Sequence, residues 1–213
     1  MATSGRSVRC GGSSLRQHRH ICAFFNNIDE QHRVLRSFIK EGFEHGEKMF
    51  HLVDPALREI HLRRLAETGI DVAQAMNTGQ LELRHWQDAY LRNDRFDQDS
   101  MLALIEEVLQ SGAASGYPLT RFVANMEWAL LDNPCVGDLL EYETRLNYVL
   151  PKYDDPVICT YDLSKFGASV VMDILRTHPV AIIGGVLQEN PFFVPPEQFL
   201  LELRERPRSA RAQ

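Results

Sequence analysis

Short apolar runs alternate along the chain with longer segments whose apolar positions recur every three or four residues. That alternation predicts a parallel sheet covered by helices on both faces. HICAFF (20–25), KMFHLV (48–53), LELRH (81–85), TRFVANM (120–126) and VICTY (157–161) read as strands. VAII (180–183) and VLQE (186–189) flank Gly184-Gly185. Two adjacent glycines accept the positive φ of a tight primed turn, so a C-terminal hairpin is expected.

Helix starts fall in the gaps. Asn27 with Glu30 three residues later reads as an N-cap with an acidic partner, followed by the stripe Ile28, Val34, Leu35, Phe38 and Ile39 up to Gly42. Asp54-Pro55 is a second start, an N-cap before proline at the first helical position, with Leu57, Ile60 and Leu65 facing inward before Gly69. Three further stripes are Met101, Leu102, Ile105, Val108 and Leu109; Leu139, Leu140, Glu143 and Leu146; and Phe166, Val170, Val171, Ile174 and Leu175. In a sheet of this kind ligands bind beyond the carboxyl ends of the strands, where loops converge and helix N-termini aim free N–H groups. Asn26-Asn27, Asp54-Pro55, Trp86 to Tyr90, Glu127-Trp128 and Asp162-Leu163 therefore share one rim.

Composition narrows the class. A chain of 213 residues suits one α/β domain with a large core. The net charge of −6 argues against a general nucleic-acid or anionic-membrane binder. The N-terminus has no apolar h-region and no apolar run is long enough for a membrane helix, so a cytoplasmic address is expected. Cys10, Cys22, Cys135 and Cys159 are far apart and form no C-x-x-C pair, which makes reduced thiols the default. Residues 1–17 read as a flexible leader, 18–206 as the folded domain and 207–213 as a basic tail.

The order of these segments resembles a degenerate RecA/KaiC ATPase fold and, more narrowly, the MEDS family, a sensory domain of methanogen and methylotroph regulators. The resemblance rests on residues 20–54, on LAETGIDV (65–72), GQLELRHWQDAYLRNDRFD (79–97), RFVANMEWAL (121–130), YETRLN (142–147), ICTYDLSKF (158–166) and THPVAIIGGVLQENPFFVPP (177–196). It implies a three-layer α/β domain, mostly parallel, with helices on both faces and a C-terminal hairpin. In active relatives of the wider fold, the turn after the first strand carries G-x-x-x-x-G-K-[ST], whose backbone amides and lysine hold phosphate. Here it reads NNIDEQHR, with the carboxylates Asp29 and Glu30 in the polyanion's place. The strand that would end in a Mg²⁺-binding aspartate reads VANMEW, with Glu127 displaced. ATP hydrolysis is therefore not expected.

The resemblance further implies a sensor input domain that binds a small molecule, hydrocarbon-derived compounds included, and passes a conformational signal to a regulatory protein of kinase, anti-sigma or transcription-factor type. No direct nucleic-acid contact, no membrane and no cofactor are expected, and self-association into a homo-oligomer is among the expectations. The candidate ligand residues are Phe25, Asn26, Asn27, Trp86, Tyr90, Glu127, Trp128, Tyr161 and Asp162. Phe24 and Phe25 point to opposite strand faces, where core packing is the stronger reading for both. Trp86 and Trp128 follow strands and suit a cleft as well as a core. Asp162 suits a helix cap as well as a ligand.

His20, Cys22, His51, Cys159 and His178 offer soft and imidazole donors, but isolated His and Cys in strands are usually structural, so no metal is expected. The prolines of THPVAII and ENPFFVPP read as structural punctuation. G-x-S-x-G, H-E-x-x-H and G-x-G-x-x-G are absent from the sequence. Two alternatives stay open: a domain that binds nucleotide without hydrolysing it, and an interaction scaffold without a ligand.

Overall fold

The computed structural model describes residues 8–10, 13–89, 96–131 and 136–206. Seven strands form the central sheet: β3 (His20–Phe25), β4 (Lys48–Val53), β5 (Leu81–His85), β6 (Thr120–Asn125), β7 (Val157–Asp162), β8 (Val180–Ile183) and β9 (Val186–Glu189). Their order is β5-β4-β6-β7-β3-β8-β9, parallel throughout except for the antiparallel β8–β9 pair. The expected hairpin is there, with Gly184 at φ 58° and Gly185 at φ 80°. The expected run TRFVANM ends one residue early, since Met126 opens a 3₁₀ turn over Glu127–Leu130, and VICTY extends to Asp162.

Every residue of β3, β4 and β6 is buried, as strands covered on both faces must be. On one face lie α1 (Ile28–Glu44), α2 (Arg58–Glu67) and α3 (Val72–Asn77), which contribute Leu35, Phe38, Leu65 and Ala75 to a core that includes Phe25. On the other lie α5 (Gln98–Ala114), α6 (Val136–Val149), α7 (Ala168–Thr177) and α8 (Pro196–Glu205), whose core includes Phe24. The two phenylalanines thus divide between the faces as strand alternation requires. The short α4 (Trp86–Ala89) follows β5 directly.

Residues 8–10 and 13–15, expected within a flexible leader, instead pair antiparallel as β1 (Val8–Cys10) and β2 (Ser13–Leu15). The alternation that buries Val8 and Cys10 while exposing Arg9 gives the pair an apolar face to lay on α1. The Arg9 amide also donates to the Glu41 carboxylate at 3.2 Å. Residues 1–7, the basic tail, Tyr90 and Cys135 lie outside the described residues.

Arg121 of β6 is fully buried. Its Nε donates to Glu47, its Nη1 to the Phe38 carbonyl at 2.6 Å and its Nη2 to Glu41 at 3.0 Å, while its guanidinium lies 4.7 Å from the Phe38 ring centre. Gly42 makes this possible, because a Cβ there would stand 2.8 Å from Cδ and Nε of Arg121. Among the described residues, no helix is long and apolar enough to cross a membrane.

Candidate functional site

At the carboxyl rim, the β3–α1 turn is closed by its own side chains. The Asn27 carboxamide oxygen accepts the Glu30 amide at 2.9 Å, so the N-cap is as expected. The Glu30 carboxylate reaches one residue further back than a capping box requires. It accepts both the Asn26 amide and the Asn26 Nδ2 at 2.8 Å. These bonds hold the Glu30 carboxyl below its ordinary range, the Asn26 amide first. Asp29 is ion-paired with Arg64 of α2. A phosphate at this turn would meet carboxylates where a nucleotide site has free amides.

The neighbouring loops are bound to one another. The Leu163 amide donates to the Phe25 carbonyl at 2.8 Å and the Met126 amide to the Thr160 carbonyl at 3.1 Å. Glu127 is buried, pairs with Lys165, and takes a 3.4 Å hydrogen bond from Asn125 Nδ2. Asp162 accepts the Ser164 amide at 2.9 Å and the Ser164 hydroxyl at 2.6 Å, a local cap.

The candidate ligand residues therefore divide. Asn26 and Asn27 are exposed on the rim, and Asp162 is half-buried there. Phe25, Trp128 and Tyr161 are buried in the two cores. Trp128 packs against Phe96, ring centres 4.4 Å apart, because its 3₁₀ turn rotates the indole under the rim. Trp86 is buried too, and its indole Nε1 has no hydrogen-bond partner among the described residues.

The densest polar chemistry lies deeper, toward the amino ends of the strands. His20 opens β3, Cys159 sits in β7 in register with Cys22, and His178 precedes β8, which adjoins β3. Glu143 of α6 points into the space between them, and all four residues are buried. Glu143 Oε2 lies 3.0 Å from His20 Nε2, 3.4 Å from His178 Nε2 and 3.6 Å from Cys159 Sγ. Its Oε1 accepts the Tyr161 hydroxyl at 2.6 Å. Tyr161, expected on the rim, thus turns its polar end into the core.

Burial opposes ionisation of Glu143, but His178 and His20 facing it outweigh that and hold its carboxyl well below the usual range. His20 is held below the ordinary imidazole range, by burial first and the neighbouring His178 next. Burial pushes the Cys159 thiol and the Tyr161 phenol up, with Glu143 adding to both. One carboxylate that favours a positive neighbour is therefore set beside His20, Cys159 and Tyr161, which resist charging.

Of the five His and Cys residues weighed from sequence, the fold brings His20, Cys159 and His178 together, and their donor atoms, with that of Glu143, lie within 4.8 Å of one another. Cys22 donates instead to the Val180 carbonyl, and His51 faces His61 in the other core. Glu143 was missed as a site residue, although a carboxylate inside the stripe Leu139-Leu140-Leu146 was the available signal.

A family model described as MEthanogen/methylotroph, DcmR Sensory domain matches residues 19–179. The transcriptional repressor DcmR of Methylorubrum extorquens is 30% identical over 174 residues, a match covering 80% of this chain and 62% of the repressor. The chain thus corresponds to less than two thirds of that relative's length. The crystal structure of the KaiC-like protein PH0186 from Pyrococcus horikoshii superimposes with a TM-score of 0.53 at 16% identity, over 77% of this chain and 70% of that one. The fold is RecA/KaiC-like, and the chain belongs to the MEDS family of sensory domains.

Proposed function

We propose that this domain is the ligand-sensing input of a cytoplasmic regulatory system, that it takes a small, weakly polar molecule at the carboxyl rim, and that it signals through a protein partner without hydrolysing nucleotide. The observation that carries this reading is the closure of the β3–α1 turn by Glu30, which puts negative charge on the backbone amide an ATPase would offer to phosphate. The partnerless indole N–H of Trp86 supports a guest with one acceptor atom, because a buried donor left unbonded costs about 1–3 kcal/mol. Kinship with a transcriptional repressor supports an output in transcription control. Full burial of Phe25, Trp128 and Tyr161 favours a second reading, a scaffold that takes no ligand.

Two measurements test the proposal. Calorimetric titration with ATP and Mg²⁺ is expected to show no binding, and tight Mg²⁺-dependent binding overturns the reading. Native mass spectrometry of protein purified from its own host is expected to show a retained small molecule that is weakened by Trp86→Phe. Bare protein in every preparation supports the scaffold instead.

A further inference from the structure

The orientation of the two buried imidazoles fixes what their inner nitrogens face. His178 Nδ1 lies 2.9 Å from the Ile174 carbonyl oxygen, which can only accept, and 2.8 Å from the Thr177 hydroxyl, whose proton goes to that same carbonyl, so Nδ1 carries the proton. His20 Nδ1 lies 3.1 Å from Asn147 Oδ1. The Asn147 amide is fixed in that orientation because its Nδ2 donates to the carbonyls of Glu143, Thr144 and Thr177. His20 Nδ1 therefore also donates. With both outer nitrogens committed, both Nε2 atoms turn toward the same oxygen, Glu143 Oε2. Unless both rings are protonated, at least one lone pair is aimed at a carboxylate oxygen in a buried site. Among the described residues His178 Nε2 has no partner within hydrogen-bond geometry, only the 3.4 Å approach to Glu143 Oε2.

We infer that His20 Nε2, His178 Nε2, Glu143 Oε2 and Cys159 Sγ are the ligands of a closed, four-coordinate site for one divalent transition-metal ion, with Zn²⁺ as the best fit. Four such ligands around Zn²⁺ at bond lengths near 2.0–2.3 Å stand roughly 3.3–3.7 Å apart. Four of the six separations here are 3.0, 3.4 and 3.6 Å to Glu143 Oε2 and 3.9 Å between Cys159 Sγ and His20 Nε2, and the other two are within 4.8 Å, so the ligands close inward slightly on binding. A cation removes the clash of lone pairs with carboxylate. It also balances charge, since one carboxylate and one thiolate neutralise a divalent ion with no net charge left in the core.

The outer shell is the kind that tunes a metal site. Each histidine donates its other N–H to a fixed oxygen, and the carboxylate is held by a tyrosine hydroxyl. Nitrogen and sulfur donors select Zn²⁺ over the oxygen-seeking Mg²⁺ and Ca²⁺. On binding, Cys159 passes its proton to solvent and becomes a thiolate. A cavity of about 310 Å³ bordered by His18, Asn147, Tyr153 and Pro179 reaches His20 and offers an access route. The inference is independent of where an organic ligand binds.

The test uses the full chain, stripped with chelator and reloaded with Zn²⁺ or Co²⁺. One equivalent of Zn²⁺ should be retained after desalting and should raise the thermal unfolding midpoint. The Co²⁺ form should show a thiolate-to-cobalt charge-transfer band that survives Cys22→Ser and vanishes in Cys159→Ser. Failure of the wild type to retain Zn²⁺ overturns the inference, as does a charge-transfer band that persists without Cys159. Should Cys159→Ser not fold, X-ray absorption on the Zn²⁺-loaded wild type decides. One sulfur with three nitrogen or oxygen neighbours supports the site, and a shell without sulfur shows surface-bound ion and overturns it.

Discussion

The hydroxyl of Tyr161 donates to Oε1 of Glu143 across 2.6 Å, joining β7 to α6 where both side chains are buried. A hydrogen bond to a charged acceptor in such a place contributes about 1.5–3 kcal/mol. Tyr161→Phe keeps the ring and its contacts with Phe24 and Phe166, so the loss should fall in that range. Urea unfolding at an unchanged m-value is the measurement.

Arg121 should be the most costly charged residue to truncate. Arg121→Ala leaves the Glu47 carboxylate buried without its guanidinium partner and should destabilise by about 3–5 kcal/mol. Gly42→Ala pushes a methyl group onto the same guanidinium, and overpacking of that kind costs about 1–3 kcal/mol. Because both act on one arrangement, the double variant should lose less than the sum, as a double-mutant cycle would show.

Acid should weaken the fold through the other core. His51 of β4 lies 2.8 Å from His61 of α2, whose ring is 5.5 Å from that of His32 on α1. Burial, then the nearby His32, lowers His61 from 6.5 to about 4, and burial, then His61 and His32, holds His51 well below the usual imidazole range. A depressed imidazole pKa means the unfolded chain takes up the proton first. Stability is thus complete above pH 6.5 and declines as pH falls toward 4, with His61 alone accounting for about 3 kcal/mol. Urea midpoints measured between pH 7.5 and 4 check the slope, and His61→Gln should flatten it.

The two tryptophans should respond differently. Trp128 is fully buried against Phe96, so Trp128→Ala should cost about 3–5 kcal/mol with or without any ligand. Loss of a bound molecule in that variant would report unfolding. Trp86→Phe removes an N–H that has no partner among the described residues and should leave the thermal midpoint near that of the wild type.

What could be read from the sequence was whatever depends on local chemistry. The Asn27 cap, the Asp54-Pro55 start and the Gly184-Gly185 turn each follow from a residue's own hydrogen-bonding or φ preference, and each lies where it was expected. What was not legible depends on non-local packing. Trp128 looked like a rim residue because it follows a strand, but the turn beginning at Met126 carries it inward. Tyr161 ends a strand, yet its hydroxyl is drawn to a carboxylate on a helix 18 residues earlier in the chain. His20, Cys159 and His178 converge only because β7, β3 and β8 are adjacent in an order that differs from their order in the chain. The small N-terminal strand pair packs on α1 and against β9, contacts that its own polar composition did not reveal.

The bond from Glu30 back to Asn26 makes the β3–α1 turn self-occupied: the domain carries a tethered anion against its own backbone amide. Any outside anion must displace a competitor that never diffuses away, so its apparent affinity is diluted by that competitor's effective concentration. Inhibition of this kind is covalently inherited with the chain, and a single substitution at position 30 would lift it.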